Sequence, residues 1–122
     1  MARRRIAFSA FAAVAAGALA VAGASPANAA NIRQYQGADY ASIETATHPW
    51  GRWVEVCDME KDGNGVFAKF QNPIDFPNVQ TVRDSNGSAA GCGNANVRNS
   101  TTAFQVCEEG FWGITCSAWK DA

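Results

Sequence analysis

Apolar and polar residues alternate along most of this chain after residue 52, at the two-residue period of half-buried β-strands. From Trp53 to Cys57, Val54 and Val56 point one way and Trp53, Glu55 and Cys57 the other. Val66, Ala68 and Phe70 repeat the pattern against Phe67, Lys69 and Gln71. Between these runs, Asp62-Gly63-Asn64-Gly65 offers two glycines for positive φ, so the stretch Trp53–Phe70 predicts a β-hairpin with Val54, Val56, Val66, Ala68 and Phe70 on its inner face. A third strand follows over Val79–Asp84 with Val82 inward. The turn signal Asp84-Ser85-Asn86-Gly87 then predicts a return strand over Ser88–Cys92 and a Gly/Asn-rich loop over Gly91–Asn96. Thr101–Glu108 reads as a strand with Phe104 and Val106 inward, Glu109-Gly110 as a turn, and Phe111–Trp119 as the last strand. Pro73 and Pro77 bracket a loop from which Ile74 and Phe76 are expected to plug the edge of the core.

No run sustains the 3.6-residue period of a helix. Short strands at regular spacing between Gly, Asn and Pro turns predict an all-β fold, a small antiparallel sandwich or barrel. The stretch 30–50 is the least patterned and is expected to be a poorly ordered start with a short strand near Tyr40–Thr45.

The N-terminus has a different character. Arg3, Arg4 and Arg5 precede an Ala-rich apolar run, and Ala27-Asn28-Ala29 supplies the small residues that signal peptidase requires. The expectation is a signal peptide over 1–29 and a single secreted domain over 30–122, with no membrane association after cleavage. With the three leader arginines removed, seven basic residues face eleven acidic ones, a net charge of −4. A mildly acidic domain with no Lys/Arg run offers no electrostatic footprint for nucleic acid.

Cys57, Cys92, Cys107 and Cys116 then stand in an exported domain of fewer than about 100 residues, the setting of a disulfide framework. A zinc site is disfavoured, because there is no Cys-x2-Cys pair and His48 is the sole histidine. Of the three possible pairings, Cys57–Cys92 with Cys107–Cys116 joins cysteines on neighbouring predicted strands.

Candidate chemistry is sparse. Asp58, Glu60, Asp62 and Gly63 match positions 1, 3, 5 and 6 of a calcium loop, but Lys69 replaces the bidentate Glu of position 12 and the flanks read as strands. No metal or other cofactor is therefore expected. Asp58 with Glu60, or Glu108 with Glu109, could serve a small carboxylate hydrolase, a minor alternative to a non-catalytic protein. Four tryptophans, with Phe111 beside them, exceed what one small core accommodates, so some must face outward. Trp53, Trp112 and Trp119, with Asp58, Glu60 and Asp62, form the candidate binding set.

The runs VEVCDMEKDGNGVFAKF, DSNGSAAGCG, FQVCEE and the final CSAW resemble small exported proteins of actinobacteria, of unknown function. The resemblance implies a secreted β domain with two bridges and transfers no active-site residue. The expected function is that of a secreted, monomeric binding protein for an extracellular protein or glycan. The alternative is an inhibitor of a secreted amylase or protease, with the loop near Cys92 as its rigid protrusion.

Overall fold

The computed structural model describes residues 31–122; the expected signal peptide lies outside the described residues. Nine strands are present among the described residues: β1 Ile32–Gln36, β2 Asp39–Ile43, β3 Arg52–Cys57, β4 Gly65–Gln71, β5 Val79–Asp84, β6 Gly93–Val97, β7 Ala103–Gly110, β8 Gly113–Cys116 and β9 Lys120–Asp121. They form two antiparallel sheets, one ordered β1-β2-β3-β6 and the other β5-β4-β7-β8, with β9 pairing the start of β7. Cys57–Cys92 and Cys107–Cys116 are both bridged, as the strand order suggested.

The inner faces close on each other. Ala41, Ile43, Val54, Val56 and Val97 come from the first sheet, and Val66, Ala68, Phe70, Phe104 and Val106 from the second. All ten are buried, and Val82 packs against them from β5. Phe70 and Phe104, directly opposite in the β4–β7 register, stack with centroids 5.6 Å apart and form the aromatic centre of the core.

The predicted inner residues are correct, but the predicted hairpin is not. β3 pairs with β2 and β6, whereas β4 pairs with β5 and β7, so residues 58–64 cross from one sheet to the other. Two alternating strands satisfy the same pattern whether they lie side by side or face to face across a core. The crossover is held from within the fold. Asp84 Oδ2 accepts a hydrogen bond from the Asp58 amide at 2.9 Å, and Asp39 Oδ1 accepts one from Met59 N at 2.7 Å.

Three further expectations are corrected. Ser88–Cys92 is irregular, and the strand begins at Gly93, within the stretch read as loop. There Ala95 and Val97 turn inward while Asn94 and Asn96 face out. Ile74 and Phe76 do not plug the core, since both lie in solvent at 79% and 86% exposure. Their loop is organised instead by Asn72, fully buried, whose Oδ1 accepts from the amides of Ile74 (3.2 Å) and Asp75 (2.8 Å) and from Ser100 Oγ (2.9 Å). Finally, residues 32–43, read as a poorly ordered start with one short strand, form the complete β1–β2 hairpin. The inward side chains of its second strand, Ala41 and Ile43, are fully buried.

Candidate functional site

Strand directions bring four connections to one end of the sandwich. The β1–β2 turn, the crossover 58–64, the β5–β6 segment 85–92 and the β7–β8 turn meet there, because Tyr40 pairs with Cys57, Val56 with Gly93 and Gly65 with Glu109. Two features of this end carry chemistry.

The first is an aromatic hairpin tip. Gly110 and Gly113 pair across β7–β8 and leave Phe111-Trp112 as a two-residue turn, with Gly113 at φ +124°. Both rings stand in solvent, Phe111 at 89% and Trp112 at 94% exposure, and they meet edge to face with centroids 4.9 Å apart. Ile114 beside them is also exposed.

The tip is braced rather than loose. The Cys107–Cys116 bridge joins directly opposed residues of β7 and β8, three positions behind Gly110 and Gly113. Arg83 forks onto Glu109 through two hydrogen bonds of 3.0 and 2.5 Å, and its guanidinium lies over the Phe67 ring at 5.1 Å. The Arg83 hydrogen bonds hold the Glu109 carboxyl below its usual range. Asn64 Nδ2 donates to Glu108 Oε1 at 2.9 Å and ties the crossover loop to the same strand.

The second feature is an acidic cluster behind the tip. Asp39 at the start of β2, Glu60 in the crossover and Glu108 on β7 each offer a carboxylate oxygen, and these oxygens lie within 4.8 Å of one another. Asp39 is fully buried, and its Oδ2 has no hydrogen-bond partner. Burial pushes its carboxyl upward against the opposing effect of the Met59 amide, with the charges of Asp58, Glu60 and Asp62 acting in the same direction as burial. Glu108 responds to competing neighbours. The Asn64 amide pulls it down, but the hydrogen bond with Asp62, burial, and the charges of Asp62 and Asp39 raise it overall. Asp62 goes the other way, lowered first by the Asn64 backbone amide and then by Glu108.

The candidate binding set is therefore divided by the fold. Trp112, Glu60, Asp62 and Asp58 share this end, but Asp58 is buried and its Oδ1 caps the Glu60 amide at 3.2 Å. Asp62 similarly accepts from Asn64 N at 2.9 Å in an exposed turn. Trp53 lies on the outer face of β3, opposite Asn96, and Trp119 lies in the segment between β8 and β9; both are partly exposed and neither joins Trp112. Phe111, Asp39 and Glu108 belong to this end and were missing from the set. Phe111 had a local signal, because Gly110-Phe111-Trp112-Gly113 places two residues between glycines. Asp39 had none, since its burial arises from the packing of the crossover over β2.

At the opposite end, Trp50 stacks on His48 with centroids 4.8 Å apart beside a shallow cavity of about 430 Å³ lined by Gly51, Asp75, Gln80 and Arg98. Glu44 Oε1 there accepts from Trp53 N at 2.6 Å and pairs with His48 Nε2 at 3.1 Å.

Comparison with protein-family models, with curated proteins and with solved structures finds no match to this chain.

Proposed function

We propose that this protein is a secreted, non-catalytic binding protein that inserts Phe111 and Trp112 into a concave site on an extracellular partner protein. The carrying observation is the bridged two-residue turn, which holds two large aromatic rings in solvent at 89% and 94% exposure. A braced loop loses little conformational freedom on binding, and Trp is among the side chains most enriched where binding energy concentrates. The edge-to-face arrangement forms a convex wedge rather than the flat platform that stacks on a sugar ring, which favours a protein cleft over a glycan.

Export is supported by the Arg3–Arg5 leader, the apolar run and the Ala27-Asn28-Ala29 site, and two disulfides are in keeping with an oxidising compartment. A non-catalytic role is supported by the carboxylates. Glu108 and Glu109 are adjacent on a strand and so project to opposite faces, and Glu109 is engaged by Arg83. Asp58 is buried and spends one oxygen on a backbone cap.

A second reading, inhibition of a secreted hydrolase, is favoured by the same braced protrusion, which moves from the Cys92 loop to the β7–β8 tip. The test uses the oxidised protein against purified secreted amylases and proteases, an extracellular protein pull-down and a glycan array. A ligand lost in Phe111→Ala/Trp112→Ala and kept in Trp53→Ala is the expected result. A retained ligand indifferent to the double substitution refutes the proposal, and absence of inhibition at micromolar concentration ends the hydrolase reading.

A further inference from the structure

We propose that Asp39, Glu60 and Glu108 form a binding site for a calcium-class divalent cation that links the two sheets. Three carboxylates from β2, the crossover and β7 bring oxygens within 4.8 Å of one another, and one of them, Asp39, is fully buried with Oδ2 unpartnered. Oxygens on opposite sides of a calcium ion, each about 2.4 Å away, are about 4.8 Å apart, so this spacing fits one coordination sphere. Among the described residues Arg83 pairs with Glu109 and His48 contacts Glu44, and neither contact supplies a positive charge to the cluster.

The donors also select the class of ion. All three are carboxylates, hard oxygen ligands that suit calcium or magnesium and lack the His or Cys that zinc prefers. Cys57 and Cys92 are joined in a disulfide and offer no thiolate. The site is not the linear loop suggested by the spacing of Asp58, Glu60 and Asp62. Asp58 and Asp62 cap the amides of Glu60 and Asn64, and only Glu60 is common to both arrangements. Three ligands from separate parts of the chain converge only in the folded state, so binding must stabilise the fold in proportion to ligand concentration.

The experiment is a thermal-shift titration of the oxidised, chelator-treated protein with calcium chloride, repeated with magnesium and zinc. A saturable rise in Tm is expected, with a calcium Kd of ~10⁻⁴–10⁻³ M, the range of extracellular modules. Glu60→Gln, at a half-buried position, should weaken calcium at least tenfold, and Asp39→Asn should do the same. Asp75→Asn, at the other end of the sandwich, should leave the affinity within twofold. The proposal is overturned by an absence of saturable calcium response up to about 10 mM, by site variants that bind as the parent does, or by Asp75→Asn weakening binding as much as Glu60→Gln. Glu60→Gln keeps the test decisive should Asp39→Asn fail to fold.

Discussion

Replacing Gly93 by Ala tests the closure of the two sheets directly. A Cβ at this position would lie 2.0 Å from the Arg83 carbonyl oxygen, 2.6 Å from its carbon and 3.0 Å from Asp84 Cα, all backbone atoms. Relief requires a displacement on the order of 1 Å by either strand, since carbon contacts are comfortable only at about 3.5 Å. Neither strand is free to give it. β6 is anchored by the neighbouring Cys92–Cys57 bridge, and β5 by the Asp84–Val66 pairing and the buried Asp84–Asp58 hydrogen bond. Overpacking typically costs ~1–3 kcal/mol, and losing a hydrogen bond to a charged group adds about 1.5–3 kcal/mol. The sum, roughly 2.5–6 kcal/mol, is a large part of the ~5–15 kcal/mol that holds a domain together. At about 4–8 °C per kcal/mol for a domain of this size, Tm should fall by about 10 °C or more.

Gly63→Ala is the matched control. Gly63 sits at φ +77°, and a methyl group added there would meet no neighbour within 4 Å. Its cost is therefore conformational alone, about 1–2 kcal/mol. Thermal unfolding of the two oxidised variants by circular dichroism separates steric from conformational cost. If Gly93→Ala lowers Tm no more than Gly63→Ala, the close approach of β6 to the end of β5 is wrong.

Three other outcomes are expected. Phe111→Ala/Trp112→Ala should leave unfolding free energy within about 0.5 kcal/mol, as for exposed positions generally; urea titration checks this, and a larger loss would mean that the rings support the fold. Asn72→Ala should destabilise by about 1–3 kcal/mol by removing the part-buried hydrogen bonds its Oδ1 accepts from the Ile74 and Asp75 amides and from Ser100 and should open the 72–78 loop to proteolysis, whereas Ile74→Ala and Phe76→Ala should do neither. The Trp53 amide, followed by His48, holds the Glu44 carboxyl below its ordinary 4.5, so its contribution to stability is present above that pH and lost as pH falls through the lower folded-state value. The Tm gap between the parent and Glu44→Gln should therefore be wider at pH 7 than in strong acid, and a gap independent of pH would contradict the assignment.

The alternation of Val54, Val56, Val66, Ala68, Phe70, Phe104 and Val106 was sufficient to identify strands and inward faces, because side-chain direction along a strand is a local, two-residue property. The order of those strands also suggested both cysteine pairings. β6 was obscured because asparagine and glycine, usually loop residues, occupy its outward positions and its close contact with Arg83. Of the candidate site, the aromatic tip was half legible, since Trp112 was named but its place in a two-residue turn was hidden by the expectation of a continuous strand.

What the chain alone determined, then, was which residues turn inward and which cysteines could meet. Only the tertiary structure decided that β3 and β4 belong to opposite sheets, since strand partners are chosen by pairings distant in sequence and either arrangement buries the same side chains. That choice carries the crossover over β2 and so brings Asp39, Glu60 and Glu108 together, although 21 residues separate the first two and 48 the last two. No local pattern encodes such a meeting. It exists because two sheets close on one core, and their closure sets carboxylates from three segments around a single point.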